Sequence, residues 1–164
     1  MCMWRIIAVL LCGLMSGAMW ASDVQSFIVT PAGATFAASL DPDATVAPVS
    51  STAQWYIRNT TLFQSWTLRF FANSAAVINC PKVPLSAFRL TCVSVSSPTL
   101  GSGSCVAGTM PVTTSPQTLA SGTLILLSGT FTTTLRLEFV DSWRYPAALA
   151  AGCSLSLSYI ADAP

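Results

Sequence analysis

From Phe131 to Val140 the chain alternates: Phe131, Leu135, Leu137 and Phe139 fall on one side of an extended backbone, and Thr132, Thr134, Arg136 and Glu138 on the other. A period of two residues marks a strand with one face buried and one in water. The same rhythm sets Trp66, Leu68 and Phe70 against Thr67 and Arg69, and Leu155, Leu157 and Tyr159 against Ser154, Ser156 and Ser158. Around Trp55 it places Trp55 and Ile57 inward and Tyr56 and Arg58 outward. Further strands are predicted over residues 24–30, 35–40, 53–59, 75–79, 88–95 and 123–128. The separators are Pro31-Ala32-Gly33, Asp41-Pro42-Asp43, Pro81-Lys82-Val83-Pro84 and Ser128-Gly129. Many short strands divided by regularly spaced turn residues predict an all-β fold, a two-sheet antiparallel β-sandwich with a shared apolar core. A helical stripe is sustained nowhere after the leader, and the ten prolines would interrupt one. A small outer-membrane barrel shares the alternation. Its aromatic residues would gather as girdles near strand ends, and those of this chain do not.

The first residues carry a different pattern. Arg5 precedes an apolar stretch from Ile6 to Leu14, followed by the small residues Ser16, Gly17 and Ala18. This is the composition of a secretory signal peptide, and the stretch, interrupted by Gly13, Ser16 and Gly17, is shorter than the ~20 apolar residues that span a bilayer. The expected organisation is therefore a leader over residues 1–21 and one sandwich domain over residues 22–164, delivered to the periplasm, the cell surface or the medium. Contact with a membrane is expected only through the export signal.

Four cysteines remain after the leader: Cys80, Cys92, Cys105 and Cys153. In an oxidising compartment they are expected as two disulfides. The run of turn formers from Ser96 to Ser104 would bring Cys92 to Cys105, which leaves Cys80 for Cys153. A cysteine zinc site would show close pairs two to four residues apart, and none occurs.

Composition removes whole classes of function. Charged residues make up 8% of the chain and the net charge is +1, so the basic patch that nucleic-acid binding needs is missing. No histidine is present, which excludes the Ser-His-Asp and Cys-His arrangements. Glu138 and Asp141 are the nearest approach to a catalytic carboxylate pair, and Asp41 and Asp43 to a calcium site; neither has the surrounding groups such a site requires. No enzyme activity and no cofactor are expected. Between Arg89 and Arg136 there is no charged residue, and the outward face of those strands consists of hydroxyl and small side chains. Such a surface does little to keep copies apart. Exposed strand edges of such a sandwich would be open to a partner strand. Trp143, Arg144 and Tyr145 follow the best strand and are candidate binding residues, since planar groups on a loop stack on sugar rings or anchor protein partners. Asn59-Thr60-Thr61 matches a glycosylation acceptor.

Trp66-Thr67-Leu68, followed some ninety residues later by a strand ending Ser158-Tyr159-Ile160-Ala161-Asp162-Ala163-Pro164, resembles the plan of bacterial WxL-type surface domains. Where that family repeats its Trp-x-Leu motif, this chain has Ser158-Tyr159-Ile160. The ending that begins Trp143-Arg144-Tyr145-Pro146-Ala147 is similar to secreted bacterial sandwich modules, including pilin-like subunits. The resemblance implies an Ig-like sandwich and a structural role at the cell surface, with an envelope protein, like copies or a carbohydrate as partner.

Overall fold

The computed structural model describes residues 23–31, 33–36, 46–58, 62–125, 127–140, 144–145 and 152–163. Among the described residues ten strands run in chain order: β1 (Asp23–Thr30), β2 (Gly33–Phe36), β3 (Val49–Arg58), β4 (Gln64–Ala72), β5 (Phe88–Ser96), β6 (Gly101–Cys105), β7 (Thr109–Pro111), β8 (Gln117–Leu124), β9 (Ser128–Phe139) and β10 (Cys153–Asp162). They form two antiparallel five-stranded sheets, β1-β3-β9-β5-β7 and β2-β10-β4-β8-β6. The 3-10 turn Leu85–Ala87 leads into β5. The predicted alternation holds in the long strands. Trp55, Ile57, Trp66, Leu68, Phe70, Phe131 and Leu135 are all fully buried, while Arg58, Ser65 and Arg136 face water.

Aromatic rings join the sheets at the centre. The Trp66 ring lies 5.1 Å from Trp55 and 4.8 Å from Phe131, and Trp55 stacks on Phe131 at 5.8 Å. Space for the Trp66 indole comes from glycine on the neighbouring strands. A Cβ at Gly103 or Gly122 would lie 2.7 Å from Trp66 Cζ2, and one at Gly122 would also strike the Ser102 carbonyl oxygen.

Several predicted elements differ. Gly101 to Ser104, read as part of a turn, belong to β6 and pair with β8; only the residues just before Gly101 turn the chain. The predicted strand at 123–128 is the junction between β8 and β9, where Ile125 donates its N–H to the Leu100 carbonyl. Residues 75–79 make one isolated bridge, Ile78 to Ser154, because Ser74 caps the Ala76 N–H and Asn79 turns the chain with φ of 63°. In β2 pairing covers Gly33–Phe36, and the remainder of the predicted 35–40 strand lies outside the described residues, as do the leader, Asp41, Asp43 and the Asn59 acceptor. A β-bulge between Cys92 and Ser94 puts Val93 and Ser94 both on the outer face and returns Val95 to the core side.

Both expected disulfides form. Cys92–Cys105 ties β5 of one sheet to β6 of the other, and Cys80–Cys153 pins the segment after β4 to the start of β10. In the chain-entropy account, closing the shorter loop contributes ~3 kcal/mol and the longer one ~4 kcal/mol.

Two substitutions test this packing by chemical denaturation. Gly122→Ala forces β6 from β8 or Trp66 from its seat and is expected to destabilise by roughly 3 kcal/mol. Thr133 is fully buried, and its Oγ1 has no hydrogen-bond partner among the described residues. Thr133→Val keeps the shape and removes the stranded hydroxyl, so stability is expected to rise by about 1 kcal/mol.

Candidate functional site

Phe139 near the end of β9 packs on Phe88 at 4.5 Å, and Tyr145 stacks on Phe139 at 6.0 Å with the rings 26° apart. This file of rings carries Tyr145 from the core to the surface. Around it opens a cleft of about 500 Å³ lined by Pro84, Ser86, Ala87, Arg89, Thr109, Glu138, Val140, Arg144 and Tyr145. The walls are held by backbone hydrogen bonds from Val140 N–H to the Ala87 carbonyl at 2.8 Å and from Val112 N–H to the Phe88 carbonyl at 2.9 Å. Register sets Arg89 between Glu138 on β9 and Pro111 on β7. Glu138 Oε1 accepts the Arg136 guanidinium at 2.7 Å. Thr91 donates its hydroxyl to Thr109 Oγ1 at 3.2 Å, which leaves the Thr109 proton available to a ligand. Arg89 makes no ion pair or hydrogen bond among the described residues.

Two of the predicted binding residues, Arg144 and Tyr145, thus share one cleft; Trp143 lies outside the described residues, as does Asp141. Arg89, Ser86 and Thr109 were not singled out by the sequence, and Glu138 was weighed only as an acid. The outward parity of Glu138 is readable in its strand, but the register that sets it beside Arg89 is not. Guanidinium, carboxylate, hydroxyl and phenol groups thus line one open cleft.

A second surface lies along β10. Its first residues, Cys153 to Ser156, pair with β2, and Leu157 to Asp162 pair with β4 on the opposite side. Ser154 exchanges backbone hydrogen bonds with Ile78, and the Ser156 carbonyl accepts one from the Asn73 N–H, in the segment that follows β4. By the two-residue period, the N–H and C=O of Tyr159 and Ala161 therefore point away from β4. On that side no strand pairs with them among the described residues. Tyr159 itself turns inward, where its hydroxyl hydrogen-bonds the Ser51 side chain on β3.

At the end of the sandwich remote from the cleft, Leu62, Phe63, Leu100, Ile125 and Leu127 are all exposed. Phe63 is 71% exposed and holds φ of 61°, a region that bulky residues rarely adopt.

Comparison of the chain with known protein families, with curated proteins and with solved structures finds no match.

Burial pushes the Tyr159 hydroxyl up from 10.0 to about 12, against a smaller downward pull from its bond to Ser51. A raised folded value means that the stability linked to the neutral phenol is intact below pH 10 and is lost as pH rises towards 12. Titration of tyrosinate absorbance is expected to show a late phase near pH 12 that Tyr159→Phe removes. A late phase unchanged in that variant contradicts the assignment.

Proposed function

We propose that this chain is a non-catalytic, exported structural protein of the cell surface. It is an Ig-like sandwich that packs against copies of itself or a neighbouring envelope protein by accepting a strand along the open edge of β10. The observation that carries this reading is the pair of outward-facing backbone units at Tyr159 and Ala161, beside a sheet whose inner face is apolar. In the Ig plan one sheet holds strands A, B, E and D and the other C, F and G. The order β1-β3-β9-β5 follows the first, and the neighbours β10 and β4 take the places of F and C. The open side of β10 is then the place of G, of which β2 fills only the part beside Cys153 to Ser156. A strand added there would satisfy the unpaired peptide groups and lay alternate side chains against the core.

Three further features support the reading. The leader composition of residues 1–21 and two disulfides suit an oxidising compartment outside the cytoplasm. Across the outer face of the first sheet runs a row of hydroxyls, Thr30, Thr52, Thr134 and Ser94, which a neighbour can cover without desolvating charge. The uncovered apolar end at Phe63 offers a second area for packing.

Ala161→Pro removes the N–H that faces the open edge and leaves the ladder to β4 intact. In sedimentation velocity the exported parent protein is expected to associate as its concentration rises, and in crosslinked cells to join like or envelope chains. The proline variant is expected to lose both while melting within a few degrees of the parent. A parent that stays monomeric and forms no crosslinks, or a variant that assembles as the parent does, overturns the proposal.

A further inference from the structure

The cleft between β5, β7 and β9 has no part in strand addition, and its chemistry points to a ligand of its own. We propose that it binds a carboxylated sugar residue, with Arg89 gripping the carboxylate and Tyr145 supporting the ring. Its volume of about 500 Å³ is that of a small-molecule site. Its walls are polar, which fits a ligand rich in hydroxyls.

The sign of the ligand's charge follows from the local balance. Arg89 lines the cleft, and the one acidic side chain among the described lining residues, Glu138, already receives Arg136. Arg89 stands without a partner among the described residues. It lies between Glu138, whose Oε1 is occupied, and Pro111, whose side chain has nothing to offer a cation. A planar guanidinium presents two parallel N–H groups, the geometry that a carboxylate accepts.

The remaining groups specify a sugar. Tyr145 is seated on Phe139, which is itself packed on buried Phe88, so its ring is held in place before any ligand arrives. A flat, pre-positioned aromatic surface suits the apolar C–H face of a pyranose. Ser86 and the Thr109 hydroxyl can donate to ring hydroxyls, and the lone pairs of Glu138 not used by Arg136 can accept from them. A peptide carboxylate would leave these groups unmatched and would need an apolar pocket for its side chain. Among the described lining residues, Pro84, Ala87 and Val140 are the aliphatic ones.

Isothermal titration of the exported protein tests this with trigalacturonate, glucuronate, N-acetylmuramate and sialyllactose as acidic probes, and with the methyl ester of trigalacturonate as a neutral counterpart. At least one acidic probe is expected to bind, and trigalacturonate to bind roughly tenfold or more tightly than its ester. Arg89→Ala and Arg89→Lys are both expected to weaken the acidic probe by a similar factor, since lysine lacks the planar fork. Tyr145→Ala is expected to weaken it and Tyr145→Phe to retain it. Arg58→Ala, an exposed cation at the far end of β3, should change nothing. Unchanged melting of the Arg89 variants separates lost binding from lost fold. Failure of all four acidic probes, equal affinity for acid and ester, or binding that survives Arg89→Ala overturns the proposal. None of these readouts depends on assembly along β10, so the two proposals stand or fall separately.

Discussion

The Trp66 indole fills the gap between the two sheets by lying against backbone, with Gly103 and Gly122 at its rim and Trp55 and Phe131 across from it. Opposed sheets sit ~10 Å apart, and side chains from both normally share that depth. Here β4 contributes a very large ring, and β6 and β8 make room for it with glycine. The close approach of β6 to β8 depends on the same two glycines, because a methyl group at Gly122 would strike the Ser102 carbonyl. Beside this contact Cys92–Cys105 fastens β5 to β6. Large ring, small neighbours and covalent tie therefore set the spacing of one half of the sandwich together.

That arrangement explains which strands were legible. In β3, β4, β9 and β10 most inner positions carry their own buried side chain, so the alternation is written in the strand itself. In β6, Gly-Ser-Gly-Ser-Cys carries no such signal, because Trp66 on β4 occupies the space its side chains would take. Its glycines and serines read as a turn. In β8 a register shift beside Leu68 places Leu119 and Ala120 both in the core, which breaks the period that would reveal a strand. The disulfides were legible because the turn between Cys92 and Cys105 is short and only one other pair remained. The cleft was half legible. Arg144 and Tyr145 stand out as planar groups after a strong strand, but Arg89 reaches Glu138 only through the pairing of β5 with β9, and pairing partners leave no mark on a single strand.

Charge is sparse. Arg89, Arg136, Glu138 and Arg144 lie at one end, Arg69 pairs with Asp162 between β4 and β10, and the end remote from the cleft presents Leu62, Phe63, Leu100, Ile125 and Leu127 with Arg58 nearby. The face between them is mostly hydroxyl, with pairs such as Ser102–Thr123 and Gln54–Thr132 bonded to one another across strands. Covering hydroxyls already bonded to each other costs little, while covering ions costs several kcal/mol or more each. A molecule built this way can be approached over most of its surface at small penalty.

The two proposed contacts lie on different flanks. In the first sheet β1 is one edge and β7 the other, and the cleft opens over β9, β5 and β7. In the second sheet β2 and β10 lie on the flank of β1, since the chain passes from β1 to β2 between the sheets, while Cys92–Cys105 places β6 on the flank of β5. A strand docking beside Tyr159 and Ala161 would therefore cover the flank of β1 and β2 and leave the mouth at Arg89 and Tyr145 open. Copies joined through the β10 edge would repeat that mouth once per subunit, so weak recognition of a single acidic sugar would be multiplied along the assembly by effective concentration.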